Sequence, residues 1–184
     1  MLRHSLYQVL LVLISVLPHA NGEWIKANPE NSFSSEVRDI AAGEGAWIAV
    51  GERGLIAFLS DDRWHELLPF SQFDLNSVLH TGEHFLVVGD SGLILSSEEG
   101  DITKWSIVES GTSVDLFDVK KLDERWFING ENGLLLESQD TVNWRTISES
   151  ERSDKDFECI TFFNGEFIAL EDRALWRSND GINW

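Results

Sequence analysis

The chain has 184 residues, and its 32 acidic residues outnumber its 14 lysines and arginines, which gives a net charge of −18 at pH 7. Because proteins bind phosphate backbones and anionic membrane surfaces through lysine and arginine, this charge argues against nucleic acid and such surfaces as partners. The single cysteine, Cys159, excludes an internal disulfide, so packing must stabilise the fold.

The first element in chain order is a predicted signal peptide, residues 1–22. A basic start at Arg3 precedes an apolar run from Leu6 to Leu17, and Ala20-Asn-Gly22 has the small residues of a cleavage site. An uncleaved anchor is the alternative, but about 12 apolar residues are too few for a bilayer that needs ~20. We therefore expect a mature protein that starts at Glu23, is secreted or periplasmic, and is not inserted in a membrane.

Beyond the signal peptide, tryptophans recur at nearly equal intervals of 40, 41, 39 and 40 residues. A fixed period of this size is the signature of repeat architectures, and about 40 residues is typical of a propeller blade. We interpret the mature chain as repeats of one all-β unit. The periodic residues are Trp24, Trp64, Trp105, Trp144 and Trp184.

Each repeat contains two short apolar strands around a Gly-x-x-Gly turn, as in Phe85-Leu-Val-Val-Gly89-Asp-Ser-Gly92-Leu-Ile. Such runs predict a hairpin, in which glycine supplies the positive φ of the turn. A further strand precedes this hairpin, and a polar turn, a tryptophan and a fourth strand follow it. The fourth repeat has Glu171 and Ala174 in place of the two glycines.

The sequence therefore predicts an all-β protein, a β-propeller of four-stranded antiparallel blades with four repeats. The blades span approximately residues 36–69, 73–110, 114–149 and 155–184. Residues 24–28 are predicted to be a ring-closing strand that pairs with the last blade. Three arrangements stay open: four blades that close into a ring, part of a larger ring of six to eight blades, or association of partial rings between chains.

The polar turn before each tryptophan has a second signature, which is clearest in Ser178-Asn-Asp180-Gly181-Ile-Asn-Trp184. An aspartate can accept backbone N–H bonds within its own turn, the glycine relieves the backbone, and the indole folds back over the hairpin. The first two copies are degenerate, with the glycine missing or displaced. The predicted structural residues are Ser60, Asp62, Trp64, Ser97, Gly100, Trp105, Ser138, Asp140, Trp144, Ser178, Asp180, Gly181 and Trp184.

The Ser-x-Asp-Gly-x-x-Trp turn resembles the Asp-box, or BNR repeat, of sialidase-like propellers. Together with Val-Gly-x-x-Gly-Leu-Ile it resembles the photosystem II assembly factor-like (Ycf48/HCF136-like) group of exported propellers. The resemblance covers Trp24 to Trp184. It implies a propeller fold, and it is consistent with a role in protein binding or assembly.

No catalytic, metal-binding or cofactor-binding residue is predicted, and no cofactor is expected. The stretch His80-Thr-Gly-Glu83-His84 matches an inverted zinc-protease motif, but that chemistry requires a helix and the repeat places a strand–turn–strand here. The only tyrosine, Tyr7, lies in the signal peptide, which excludes the tyrosine nucleophile of sialidases for this segment.

Two functions from different classes stay open. We expect an exported, non-catalytic propeller that serves as a protein-binding or assembly scaffold, and the alternative is a glycan-binding or glycoside hydrolase-like Asp-box propeller. The partner is an unknown protein or a polysaccharide. The carboxylates that a hydrolase would need lie in or near polar turns, and no pair can be chosen among Asp61, Asp62, Glu98, Glu99, Asp154 and Asp156.

Overall fold

Short runs of apolar and β-branched residues, bounded by turns rich in glycine and aspartate, form the regular structure of this protein. The computed structural model describes residues 33–43, 45–69, 71–148, 156–171 and 173–184. The chain divides into residues 1–32 and 33–184, and the fold described below is that of the second unit. The predicted signal peptide, Trp24 and the predicted strand 24–28 lie outside the described residues.

Fifteen strands in the described residues form four consecutive antiparallel sheets. The first sheet consists of β1 (Val37–Gly43), β2 (Ala46–Gly51), β3 (Ile56–Ser60) and β4 (Arg63–Glu66). The second consists of β5 (Leu75–His80), β6 (Phe85–Gly89), β7 (Ile94–Glu98) and β8 (Asp101–Val108). The third consists of β9 (Leu116–Leu122), β10 (Arg125–Gly130), β11 (Leu135–Ser138) and β12 (Arg145–Ser148). The fourth consists of β13 (Cys159–Phe163), β14 (Glu166–Glu171) and β15 (Ala174–Ser178).

Within each sheet the strands pair in chain order, so every sheet is a meander. The first strand of each sheet lies beside the first strand of the next, which brings β1 to β5, β5 to β9, and β9 to β13. The predicted all-β architecture of antiparallel blades is confirmed. The fourth blade differs from the other three, because it has three strands among the described residues.

The core lies between neighbouring sheets, which pack face to face. Ile48 and Val50 of the first sheet pack against Leu75 and Val87 of the second, and all four are fully buried. Equivalent clusters join the second sheet to the third and the third to the fourth. Because full burial of such a side chain stabilises by about 1.5–3 kcal/mol, these three interfaces dominate the favourable energy of the fold.

The Gly-x-x-Gly turns between second and third strands are short 3₁₀ turns, Glu52–Gly54, Asp90–Gly92 and Glu131–Gly133. The second glycine of each pair has a positive φ, +72° at Gly92, as the sequence predicts. The residue before it is also left-handed, with φ 58° at Ser91.

The first glycine of each pair does not have the predicted positive φ. The backbone at Gly89, for example, is extended, with φ −163°. Glycine is required there for lack of space. A Cβ on Gly89 would lie 2.2 Å from the carbonyl oxygen of Asp74, and one on Gly51 would lie 1.9 Å from that of Glu36. The same Asp74 carbonyl accepts the N–H of Asp90 at 2.9 Å, so the close approach positions a backbone hydrogen bond.

The substitution Gly89→Ala tests this steric requirement. We expect it to lower the free energy of unfolding by about 3 kcal/mol in urea denaturation, because the new methyl meets backbone that cannot move aside. Gly165→Ala is the control, since Gly165 has φ +84° but open space around its Cβ position. It should cost only backbone strain of about 1 kcal/mol. Equal losses in the two variants would show that space is not the reason for Gly89.

Candidate functional site

An aspartate before the first strand of a sheet holds the 3₁₀ turn of the preceding sheet. Asp74 accepts the backbone N–H of Arg53 at 2.9 Å, and Asp115 accepts that of Ser91 at 2.9 Å. Asp156 accepts the N–H of Asn132 at 2.8 Å in the same way. Each carboxylate therefore stabilises a left-handed residue and ties two sheets together. We call the surface formed by the three 3₁₀ turns and these three aspartates the turn face.

A hydrogen-bonded chain of side chains crosses the turn face from the first sheet to the second. Arg38 donates to Asp74 Oδ2 at 2.6 Å and to Asn76 Oδ1 at 2.5 Å, and it lies 3.5 Å from Glu52. Asn76 in turn donates to Asp90 Oδ1 at 2.9 Å. We call Glu52, Asp74, Asp90 and Asp115 the acidic cluster.

The acidic cluster has an unbalanced negative charge. Burial raises the pKa of Asp90, the Asn76 amide opposes this shift, and the carboxylates of Asp115 and Asp74 raise the pKa further. The Arg38 guanidinium lowers it by less than these neighbours raise it. The ionised form of Asp90 is therefore incompletely solvated, and an additional cation at this position would be stabilised.

Four polar or thiol side chains occupy equivalent positions on the first, innermost strands of the four sheets, and we call them the inner belt. They are Asp39, Ser77, Asp118 and Cys159. The Ser77 hydroxyl lies 3.0 Å from Asp39 Oδ2 and 3.1 Å from Asp118 Oδ1. A hydroxyl has one proton to donate, so the second contact is a hydrogen bond only when one carboxyl is protonated. Asp39 is the better candidate, because burial raises its pKa although it accepts the backbone N–H of Val78.

Lys120 is the charged partner of Asp118. Its ammonium lies 2.7 Å from Asp118 Oδ2 and donates to Cys159 Sγ at 3.2 Å. Burial disfavours the charged ammonium, but the Asp118 carboxylate and the Cys159 sulfur together outweigh burial and raise the pKa of Lys120. The two acids of this belt therefore have different partners, a hydroxyl and two backbone N–H groups for Asp39 and an ammonium for Asp118.

The third and fourth copies of the Ser-x-Asp turn have the same hydrogen bonds. Asp140 Oδ1 accepts the backbone N–H groups of Val142 and Asn143 at 3.0 and 2.7 Å, and Ser138 Oγ accepts that of Thr141 at 2.9 Å. The Trp144 indole then donates to the Thr141 carbonyl at 3.0 Å. In the fourth copy, Asp180, Ser178, Gly181 and Trp184 make the corresponding bonds.

The first two copies form different turns. Asp61 and Asp62 both have positive φ, 51° and 60°, in the tight turn between β3 and β4, and Ser60 Oγ lies 3.5 Å from Asp61. Trp64 packs edge-to-face on Phe33, with ring centroids 5.5 Å apart.

In the second copy, Gly100 has φ +70° in its turn, and Ser97 Oγ accepts the N–H of Phe85 at 2.9 Å. The next residue, Asp101, accepts the Thr103 hydroxyl, and this bond, with the Lys104 ammonium and the Thr103 N–H, lowers the pKa of Asp101 to about 2. Trp105 donates to the Ile102 carbonyl at 2.9 Å, which is the indole bond of the third and fourth copies.

The predicted strand–turn–strand at His80-Thr-Gly-Glu83-His84 is confirmed, since His80 ends β5 and His84 precedes β6. The His80 ring packs on Phe85, and His84 Nε2 lies 3.1 Å from Thr141 Oγ1. Among the residues that the structure describes, no three His, Cys, Asp or Glu side chains are grouped to hold a metal ion. Within the same residues, no helix has the length and apolar character needed to cross a membrane.

A groove of about 750 Å³ lies along the outer strands of the first two sheets. Its apolar lining includes Ile56, Leu67, Leu68 and Trp105, and Lys104 adds a positive charge. Of the carboxylates considered for a hydrolase, Glu98 lines this groove and lies 3.5 Å from the Lys104 ammonium. Asp156 holds a turn instead, and Asp154 lies outside the described residues.

The Gly-x-x-Gly turns were predicted from the sequence, but the roles of the aspartates on the turn face and of the inner belt were not. A signal was present: an acidic residue precedes the first strand in all four repeats, and a polar or thiol residue recurs at one position inside that strand. The acidic residues are Glu36, Asp74, Asp115 and Asp156.

No protein-family model matches the sequence, and no curated protein matches it. The structure is similar to that of YCF48 bound to D1 peptide, with a TM-score of 0.62 and 18% identity over 78% of this chain and 50% of that chain. It is also similar to the computationally designed Ika4 protein, with a TM-score of 0.65 and 6% identity over 85% of this chain and 98% of that one.

A third similar structure is the WD40 β-propeller domain of Doa1, with a TM-score of 0.57 and 16% identity over 81% of this chain and 53% of that one. At these identities the likeness shows the fold alone, and it confirms the predicted β-propeller. The chain spans about half the length of the YCF48 and Doa1 chains.

The raised pKa of Asp39 predicts a pH-dependent stability. A carboxyl whose pKa is higher in the folded than in the unfolded state favours folding when protonated, and this contribution is lost as pH rises through the folded value. We expect Asp39→Asn, which does not titrate, to gain stability relative to the wild type between pH 4 and pH 7. Urea denaturation at both pH values measures this difference.

Asp140→Asn is the control of opposite sign. The backbone N–H of Asn143, followed by its side chain and the Val142 N–H, lowers the pKa of Asp140. Its ionised form therefore stabilises the fold above the unfolded value near 3.8, and this contribution fades as pH falls. The variant should be less stable than the wild type by a similar amount at pH 7 and pH 4, because both lie above the unfolded value, and the deficit should shrink only at lower pH. The same trend in both variants would contradict the assignment of Asp39.

Proposed function

We propose that this chain is an exported, non-catalytic scaffold that binds a basic segment of another protein on its turn face. The observation that carries the proposal is the acidic cluster, whose four carboxylates outnumber the guanidinium groups of Arg38 and of the exposed Arg53 on the same face. The turns that bear these carboxylates are held by hydrogen bonds to neighbouring sheets, so a partner meets preformed geometry.

Electrostatics favour a lysine or arginine as the recognised group. Asp90 is half-buried between Asp74 and Asp115, so its charge has lost part of its hydration without gaining a cation of its own. A partner ammonium or guanidinium would replace that hydration and relieve the repulsion among the carboxylates. The net charge of −18 would also steer a basic partner toward the protein.

The similar structures support this proposal at the level of the fold. YCF48 was solved with a D1 peptide bound, which shows that a propeller of this kind accommodates a peptide. The Ser-x-Asp turns at Asp140 and Asp180 support the further proposal that the chain belongs to the Asp-box, Ycf48-like group. We propose a structural role for these turn residues, and blades at the approximate boundaries that the repeat predicts.

A titration with a basic peptide tests the binding face. The probe is a fluorescein-labelled dodecapeptide of alternating glycine and lysine, followed by anisotropy at low and physiological salt. We expect binding that weakens with salt, and a Kd that rises about tenfold in the double variant Asp90→Asn, Asp115→Asn, equivalent to ~1.4 kcal/mol. Asparagine keeps the oxygen that accepts from Asn76 or from the Ser91 N–H, so the change is mainly one of charge.

The matched control is the double variant Glu83→Gln, Glu124→Gln. It changes the net charge by the same amount, but both residues lie in turns at the opposite ends of the innermost strands. Its Kd should stay within about twofold of the wild type. Equal weakening in both double variants would mean that net charge alone attracts the peptide, and no binding by the wild type would remove the proposal.

The groove beside Trp105 is the observation that favours the glycan-directed alternative, because an indole with neighbouring polar groups suits a sugar ring. Only part of the Trp105 side chain is exposed, and Leu67 and Leu68 make most of the remaining wall apolar. Binding of an oligosaccharide in this groove, with no peptide bound on the turn face, would favour the alternative.

Export is proposed from the amino-terminal sequence, since residues 1–22 have the pattern of a cleaved signal peptide. We expect the protein recovered from the periplasm or the medium to begin at Glu23 by amino-terminal sequencing. Recovery in the cytoplasm with Met1 retained would contradict this part of the proposal and leave the binding face unaffected.

A further inference from the structure

One residue bulges out of the first strand in each of the first three sheets. The strand pairing skips Arg38 in β1, Asn76 in β5 and Phe117 in β9, and the residues on either side of each bulge pair with adjacent residues of the second strand. A β-bulge changes the direction of a side chain and is frequent beside functional sites. These three residues therefore occupy equivalent positions in successive sheets, beside the turn face.

The first of the bulged residues fills a cation site between the first two sheets, which we call the first site. The Arg38 guanidinium donates to Asp74 Oδ2 at 2.6 Å and to Asn76 Oδ1 at 2.5 Å. It also lies 3.5 Å from Glu52 Oε1. One planar group thus contacts two carboxylates and an amide oxygen, which suits the fork of a guanidinium better than a compact ammonium. A second cation, Arg53, lies in the adjoining 3₁₀ turn.

The corresponding site between the second and third sheets, the second site, has the carboxylates but neither cation. Asp90 begins the 3₁₀ turn and Asp115 precedes the first strand, as the two carboxylates of the first site do. Neutral residues, Asn76 and Ser91, take the positions of the two arginines. The Asn76 amide donates to Asp90 Oδ1 at 2.9 Å and to the Leu116 carbonyl at 2.8 Å. Among the described residues, no cation forms an ion pair with either carboxylate.

Both carboxylates of the second site keep one oxygen for a ligand. Asp90 accepts from Asn76 through Oδ1, and Asp115 accepts the Ser91 N–H through Oδ1. Within the part of the chain that the structure describes, no group donates to Oδ2 of either aspartate. Phe117 takes the position that Asn76 has at the first site, and it is half-buried. An aromatic residue at this position offers a surface on which a guanidinium stacks.

We propose that an arginine of the partner segment binds between Asp90 and Asp115, in the way that Arg38 of this chain binds at the first site. The inference rests on the proposed binding of a basic segment to the turn face, and it names the side chain that this face selects. Its evidence is the occupied copy of the site in the same chain, where carboxylates in this arrangement hold a guanidinium. A lysine ammonium is a point charge and lacks the fork that contacts two carboxylates at once.

A pair of peptides distinguishes an arginine site from general attraction of positive charge. The probes are fluorescein-labelled dodecapeptides, one of alternating glycine and arginine and one of alternating glycine and lysine, and anisotropy at physiological salt measures their binding. We expect the wild type to bind the arginine peptide about fivefold tighter than the lysine peptide, because a guanidinium contacts both carboxylates at once. We call the ratio of the two Kd values the arginine preference.

The variant Asn76→Arg supplies the chain's own guanidinium at the position equivalent to Arg38. We expect it to fill the second site, so that the Kd of the arginine peptide rises about tenfold and the arginine preference disappears. The matched control is Asn132→Arg, which adds the same charge to the turn face at the position equivalent to Arg53. Asn132 and Arg53 are both exposed and left-handed, so the control should fold. It should keep the arginine preference.

The double variant Asp90→Asn, Asp115→Asn tests the same site without adding a side chain to it. Asparagine keeps an oxygen that accepts a hydrogen bond but removes the charge that pairs with a guanidinium. We expect this variant to lose the arginine preference, and the control Glu83→Gln, Glu124→Gln to keep it. Far-ultraviolet circular dichroism that matches the wild type establishes that each variant is folded.

The outcomes separate the arginine site from the binding proposal on which it rests. Equal Kd values of the two peptides for the wild type would overturn the arginine site and leave the binding of basic segments in place. An arginine preference that survives both Asn76→Arg and the change of the two aspartates would do the same. No binding of either peptide would overturn both proposals.

Discussion

Each sheet of this protein can bury its apolar residues only by packing one face against the next sheet. A single antiparallel sheet of three or four strands has no interior of its own, so the three core clusters are each shared between two neighbouring repeats. The close approach at Gly51 and Gly89 also contributes to this packing. Each glycine lets the 3₁₀ turn of a sheet lie against the backbone just before the first strand of the same sheet. The aspartates at the turns then link that sheet to the following one. Removal of one strand or turn would therefore destabilise two neighbouring repeats.

Because neighbouring sheets depend on each other, the acidic residues of the turns both hold the backbone of the preceding sheet and add negative charge to the turn face. Asp74 and Asp115 hold left-handed backbone in the preceding sheet, which uses one carboxylate oxygen of each. Arg38 balances only part of the negative charge of these carboxylates, and the charges of Asp74 and Asp115 also act on Asp90. The structural requirement thus places an excess of negative charge on one face of the molecule. A scaffold assembled in this way would offer the surface that we propose binds a basic segment, without dedicated binding loops.

The same dependence makes the last sheet of the series different from the others. Sequence similarity between the repeats gives the fourth sheet the apolar residues of an interior position, including Leu170 and Leu175. Their environment is not interior, because the described residues place no further sheet against them. The negative charge of the turn face and the exposure of Leu170 and Leu175 therefore follow from one architecture, in which each sheet shares its core with its neighbours.

The sequence by itself determined the strands, the period and the turns, because these depend on residues close together in the chain. Alternating apolar residues, Gly-x-x-Gly and Ser-x-Asp act within about ten residues, and the predicted antiparallel meander is confirmed. It also suggested glycine for positive φ, which holds at Gly92 but not at Gly89, where the limit is space set by a distant carbonyl. The tertiary structure alone decided which polar groups meet. Arg38 reaches Asp74, Ser77 reaches Asp39 and Asp118, and Lys120 reaches Cys159 across 36 to 41 residues, because each pair lies on neighbouring sheets. The period predicts that such neighbours exist, but side-chain reach and burial in the packed sheets determine which of them bond and which faces stay exposed.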